Sequence, residues 1–389
     1  MKAMNLKLYS LAIAAGMLAL TACSNDDEPE NNGGNEGNII ENGATLKGTI
    51  TKDVTLKAGN TYKLSGEYIV EAGATLNIEA GVKIVSVYDD VVDYILVKQG
   101  AKINAVGTAE NPIVMTSEKE EPGAWGGIHI CGKAHTNAEG GKGNSEIGNA
   151  QYGGNDDADN SGTLQYIRLE YTGYAFDEEH EANGISFYGV GNGTTVDHCE
   201  AYKGSDDGFE FFGGSVNVSN MVVVSCSDDS FDWTEGWNGK GTNLVAYQEP
   251  VATVGYECDC LVEADNNEND NAATPVSHPV LKNLILVGNG ESKQGIRLRR
   301  GTQVEIDNAK VCGKGKPLAI ESPLTNTALK NGTSKLTNMT ISAELTTDGD
   351  YTNADFLAVG SNKVDAALSF ASFDAVKAAT DWMTGNWIK

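Results

Sequence analysis

Two short acidic segments carry residue types from which a cation site is built. Ser205-Asp206-Asp207-Gly208-Phe209-Glu210-Phe211 recurs 22 residues later as Ser227-Asp228-Asp229-Ser230-Phe231-Asp232-Trp233. Extended backbone alternates its side chains, so Phe209 and Phe211 share one face and Glu210 takes the other, as Asp232 does between Phe231 and Trp233. If the two segments stack as neighbouring strands, Glu210 and Asp232 lie about 4.8 Å apart. Asp206 then stacks on Asp228, with Asp207 and Asp229 at the turn. Like charges opposite one another across strands repel. A hard, oxygen-preferring cation such as Ca2+ relieves that repulsion. Asp206, Asp207, Glu210, Asp228, Asp229 and Asp232 are therefore the expected metal ligands. The alternative is a solvated acidic wall in which Asp-Asp-Gly serves only as a turn.

Cationic partners occur further along. Ile296-Arg297-Leu298 has the same in/out parity, which places Arg297 in the column of Ser186, Glu210 and Asp232, reached through Glu257. Arg299 and Arg300 add a basic patch, and Lys240 is a second candidate base. In a calcium-dependent β-elimination the metal binds a uronate carboxylate, which acidifies the C5 proton, and a Lys or Arg removes it. The plainer role for each of these four cations is charge balance on the wall. Trp237, Tyr171, Tyr174 and Tyr188 are the aromatics expected to face a sugar beside the ion.

The elements that position these residues are strands. Glycine is abundant, with 46 residues against 8 prolines, and short alternating apolar runs recur between Gly, Asn and Asp punctuation. Residues 196–202 align with 218–224 at the same 22-residue period. A strand-bearing repeat of this length indicates a solenoid whose coils bury a shared core. The expected fold is all-β, a right-handed parallel β-helix over residues 41–345 with irregular loops. Residues 140–159 and 263–274 break the rhythm and read as loops leaving the wall, where function commonly sits. Residues 346–389 read as a C-terminal cap, with a short amphipathic helix at 373–383 closing the last coil.

Gly73-Ala74-Thr75-Leu76-Asn77-Ile78-Glu79-Ala80-Gly81, Trp125-Gly126-Gly127-Ile128 and Ser161-Gly162-Thr163-Leu164-Gln165-Tyr166-Ile167-Arg168 resemble recurrent phrases of a large group of Bacteroidetes β-helix proteins. The likeness spans roughly residues 45–340 and implies the fold without an activity. The segment from Ser227 to Trp233 is similar to the Asp-Asp-x-x-Asp stretch of family 9 pectate lyases. Those β-helix enzymes hold catalytic Ca2+ with such a trio plus an aspartate from the preceding coil. The resemblance implies Asp228, Asp229 and Asp232 as the trio and Asp206 or Asp207 as the fourth ligand. It covers about two coils, and the lysine that those enzymes use as base has no matching position here.

The first residues have the layout of a secretory signal, with Lys2 and Lys7 ahead of an apolar stretch at 11–20. That stretch is well short of the roughly 20 residues needed to cross a bilayer. Leu20-Thr21-Ala22-Cys23 resembles a bacterial lipobox, which implies a leader at 1–22 and acylation of Cys23, palmitate being one such chain. Ser24-Asn25-Asp26-Asp27-Glu28 resembles the acidic export tag of Bacteroidetes lipoproteins. It implies anchoring in the outer membrane facing the exterior, with an outer-membrane transport complex as an expected partner. Residues 23–40 read as an acidic tether.

With 54 acidic against 28 basic residues the net charge is −26, which excludes bare nucleic acid as a partner. None of the five histidines sits at zinc-ligand spacing, and Gly189-Val190-Gly191-Asn192-Gly193 opens no helix, so it is a turn and not a nucleotide loop. Three functions remain. The foremost is a surface lipoprotein binding glycan beside Ca2+. The others are a calcium-dependent polysaccharide lyase and a structural or adhesive spacer.

Overall fold

The computed structural model describes residues 38–389, apart from 90 and 176–180. Cys23, the leader and residues 23–37 of the expected tether lie outside the described residues. Asn38–Ile40 does not belong to a tether. It is a strand paired with Val54–Leu56, so the solenoid begins slightly earlier than the composition suggested.

The chain is a parallel β-helix. Short strands stack coil upon coil into three faces, and every pairing between named strands of the large sheet is parallel. The first face holds Ile128–Cys131, Ile185–Tyr188, Phe209–Phe212, Phe231–Thr234 and Val262–Ala264, followed by the last residues of Val280–Leu298 and Glu305–Ile320. Its register is unbroken from Ser186 through Glu210, Asp232 and Glu263 to Arg297. The second and third faces are the two halves of longer strands such as Asn217–Val224 and Lys240–Tyr247.

Those longer strands bend at a single residue in the left-handed region. Asn220, Asn243, Asn283 and Asn308 have φ of 54°, 60°, 60° and 63°. Asparagine tolerates this conformation better than most residues. Each also donates its amide Nδ2 to the side chain one coil back, Asn243 to Asn220 at 2.8 Å, Asn283 to Asn243 at 3.0 Å and Asn308 to Asn283 at 2.8 Å. The corner is thus satisfied in its own backbone and side chains.

Alternation in the first face sends one side chain of each pair inward. Phe187 stacks on Phe211 at 5.1 Å, and Phe209 on Phe231 at 6.0 Å, within a continuous core running the length of the solenoid. Burying each such ring stabilises by about 1.5–3 kcal/mol. The same parity forces Glu210 and Asp232 outward, so core packing and the acidic column share one cause.

Two expected loops are packed structure. In the 140–159 segment, Ile147, Ala150 and Tyr152 join Tyr94, Leu96, Cys131, Tyr188 and Phe212 in an apolar layer over the outer side of the first face. In the 263–274 segment, residues 263–264 finish the strand Val262–Ala264. Asn266 and Asn267 bond to Asn137 at 2.8 and 3.0 Å.

The helix expected at 373–383 forms as Phe373–Lys377 but does not close the last coil. Val376, Met383 and Trp387 lie against Val222, Val224, Val245, Tyr247, Val287 and Cys312 on the outside of the third face. The chain runs back as far as Ala109, whose carbonyl accepts from the Asn386 amide at 2.6 Å, and the Lys389 amide reaches Glu200 at 2.9 Å. The apolar outer face of the solenoid's side needed covering, and this segment covers it. The end of the core is closed instead by Leu329 of Pro323–Asn331, by Tyr351 and by Phe356 of Asn353–Leu357.

Candidate functional site

On the outer side of the first face lies a groove of about 390 Å³ lined by ten carboxylates and two guanidiniums. The column Glu210, Asp232 and Glu263 forms its floor. The turns that lead into these strands bring Asp206, Asp207, Asp228, Asp229 and Asp259. Glu146 comes from the packed insert and Glu181 from the coil above, with Arg297 and Arg299 at the far end.

Carboxylate oxygens converge in overlapping sets, and within each set they lie within 4.8 Å of one another. Glu181, Asp206 and Asp228 form one set, and Asp207, Glu210 and Asp232 form another with no residue in common. Asp207 and Asp229 recur in further sets, with Asp228 and with Asp232 and Glu263. A Ca2+ ion bound at about 2.3–2.6 Å to each oxygen requires that kind of spread. In these four sets the donors are hard oxygens, which suit Ca2+ better than zinc, and a fifth set joins the Cys260 thiol to Asp229 and Asp259.

Backbone amides fix the turn acids. The Asp229 amide donates to Asp207 at 2.8 Å, the Cys260 amide donates to Asp229 at 2.5 Å, and Asn183 Nδ2 donates to Glu210 at 2.6 Å. The Asp232 residue is partly exposed, yet its Oδ1 is closed off from water and has no hydrogen-bond partner among the described residues. An unpaired buried carboxylate oxygen is costly, and such a group calls for a ligand or a proton.

Burial, then mutual repulsion, holds the carboxyls of Asp206, Asp207, Glu210, Asp229 and Asp232 well above their ordinary range. Asp228, Glu181 and Glu263 are raised as well, again chiefly by burial. The protein thus concentrates negative charge where it is least stable without a counter-ion.

All six acids expected from the sequence line the groove together. The cations fare differently. Arg297 is in the column, but Glu263 and not Glu257 precedes it, because the coil between Asp229 and Cys260 is 31 residues long and not 22. The Glu257 carboxylate instead accepts from the Ser292 amide at 3.0 Å. Arg297 is bound to Glu263 and Glu321 at 3.0 Å each. Arg299 is paired with Glu263 and, at 2.8 Å, with Asp265. Burial lowers the basicity of Arg299, but Glu263 and Asp265 outweigh it and keep the guanidinium charged. Arg300 sits outside the groove on Asp265 and Glu268. Lys240 is on the second face, lining a separate depression with Thr195 and Asn217. It cannot serve as base here.

Three of the four expected sugar-facing aromatics are internal. Trp237 is 1% exposed, stacks on Phe211 at 4.1 Å and donates its indole N–H to the Val216 carbonyl. Tyr188 is buried against Phe212 at 4.5 Å, and Tyr171 packs beside Tyr202 under Lys389. Large rings are drawn into the core and under the covering segments, because exposure wastes their apolar area. Tyr174 remains 36% exposed.

The sequence reading missed Glu263, Asp259, Glu146 and Glu181. Val262-Glu263-Ala264 carries the same apolar-acid-apolar signal as Phe209-Glu210-Phe211, but a fixed 22-residue period hides it. It also missed Lys293, whose Nζ is 2.7 Å from Asp259.

The site thus sits on a parallel β-helix with an acidic groove on one outer face. The chain matches the family model of the pectate-lyase-like beta helix domain over residues 48–389 and belongs to that family. No curated protein and no solved structure matches it. Membership points to a carbohydrate-related function in coarse terms.

Proposed function

We propose that the groove holds Ca2+ and, through it, binds glycan, on a protein anchored through Cys23 to the outer face of the outer membrane. The observation that carries this reading is the convergence of Asp207, Glu210 and Asp232, with one oxygen of each within 4.8 Å of the others, together with a buried Asp232 Oδ1 that has no partner among the described residues. Asp207, Glu210, Asp229 and Asp232 would hold the ion, with Asp206 and Asp228 beside them. A bound calcium supplies coordination sites for sugar hydroxyl or carboxylate oxygens. Arg297 and Arg299 limit the negative field at one end and orient Glu263.

The second reading is a calcium-dependent lyase, for which Lys293, with its amine at Asp259 beside the acidic cluster, is a candidate base. Its hydrogen bond to Asp259 raises its pKa and keeps it protonated, so in this arrangement it is a charge partner.

The test is retention of the protein on a panel of immobilised polysaccharides, polyuronide included, with calcium or EDTA, while unsaturated-uronide absorbance is followed in solution. Calcium-dependent retention without new absorbance supports binding. Growth of absorbance replaces it with the lyase, and no retention on any polysaccharide leaves a spacer.

A further inference from the structure

We infer that the protein has a second saccharide site, independent of calcium, between its C-terminal segment and the Asn-lined corner of the solenoid. A cavity of about 390 Å³ lies there, lined by Asn243, Asn283 and Asn308 at the corner, by Ile285 and Lys310, and by Trp382 of the C-terminal segment. It belongs to the second and third faces, away from the acidic groove, and none of its lining is shared with that groove.

The chemistry of the walls selects the ligand. A pyranose ring offers an apolar C–H face and a rim of hydroxyls that both donate and accept. The half-buried Trp382 indole supplies an aromatic surface held in place by Trp387, 6.1 Å away at 27°. Among the described residues its N–H has no hydrogen-bond partner. Each asparagine in the lining uses one N–H to bond the preceding coil, which fixes the plane of its amide and leaves the second N–H without a partner among the described residues. Asn308 is the last member of this ladder, and its side-chain carbonyl accepts from no described residue. Amides immobilised before binding lose little entropy when they engage a ligand. Lys310 and Asp381 balance each other in the lining, so the site has no net charge with which to select an ion. A mixed wall of aromatic, aliphatic and amide groups in a cavity of this size fits a short neutral oligosaccharide.

The test titrates the protein in EDTA with cellohexaose, xylohexaose, mannohexaose and laminarihexaose, read by calorimetry and tryptophan fluorescence. Trp125, Trp233, Trp237 and Trp387 are buried, so a fluorescence change on binding reports Trp382. At least one of the four sugars should bind, with affinity at least 10-fold weaker in Trp382→Ala and about threefold weaker in Asn308→Ala. Asp229→Asn with Asp232→Asn should leave the affinity unchanged. Trp382→Phe, which keeps a ring against Trp387, should lose affinity only in part and controls for unfolding of the segment. The inference is overturned if none of the four sugars binds at millimolar concentration. It is equally overturned if Trp382→Phe and Asn308→Ala bind as tightly as the parent.

Discussion

Removing calcium should make the protein less stable as pH rises from 5 to 7, the reverse of what most carboxylate-rich proteins do. Five groove carboxyls, Asp206, Asp207, Glu210, Asp229 and Asp232, are held well above the ordinary range by burial and by one another. A group whose folded pKa lies above its unfolded value of about 4 contributes fully below that pH and loses its contribution as pH climbs through the folded value. Each proton that the native state retains and the unfolded chain has lost costs about 1.4 kcal/mol per pH unit. Stability in EDTA therefore falls as pH rises, by that amount for each proton the native state still holds. A folded unit of roughly 350 residues has an unfolding entropy near 0.7 kcal/mol per degree, so each retained proton should lower the melting temperature by about 2 °C per pH unit. Calcium at 100 times its dissociation constant restores about 2.7 kcal/mol per site, or about 4 °C at pH 7. The assay is a thermal melt at pH 5, 6 and 7 in EDTA and in millimolar calcium, on the parent and on Asp229→Asn with Asp232→Asn. The double variant should show a shallower pH slope and no calcium shift. A melting temperature in EDTA that is flat or rises over this range, or a calcium shift that survives in the double variant, refutes the reasoning.

Arg299→Met leaves Glu263 and Asp265 each short of one cation, and should cost about 3 kcal/mol in EDTA, the low end for breaking a buried pair. The calcium shift should grow because the groove becomes more negative, and an unchanged or smaller shift argues against Arg299 facing the ion. Trp237→Ala should cost about 3–5 kcal/mol by opening a core cavity while leaving glycan retention intact below the melting temperature. Loss of retention in a still-folded variant contradicts its placement. Burial pushes the Glu200 carboxyl up to about 8, so this residue weakens the fold progressively from about pH 4 to 8. Glu200→Gln should remove about 1.4 kcal/mol per pH unit of that decline, seen as a flatter melting profile, and a profile parallel to the parent's counts against it.

The acidic column could be read from the chain because it depends on two local rules. Strand alternation fixes which side Glu210 and Asp232 face, and a repeated segment of unchanged length fixes that they stack. Alternation still holds at Glu263, but the fixed repeat length fails there, because nine extra residues enter the coil without disturbing the register of the strand itself. A solenoid accepts such an insertion because the strand's pairing, and not the loop, determines where the side chain lands.

The sequence by itself determined the parallel β-helix, the outward parity of Glu210 and Asp232 and the grouping of the six acids on one wall, all consequences of periodicity. Only the tertiary structure decided what covers that wall and what pairs with it. Trp237, Tyr188 and Tyr171 read alike as exposed aromatics, but the burial of a ring depends on which distant segment packs over it. Arg297 read as a candidate base and Arg299 as part of a basic patch, with charge balance as the plainer role of each, but which carboxylates they balance, Glu263, Glu321 and Asp265, was decided by coil stacking. The C-terminal segment read as an end cap, but the apolar strip formed by Val222, Val224, Val245, Tyr247 and Val287 exists only once three coils have stacked, and that strip is what it covers.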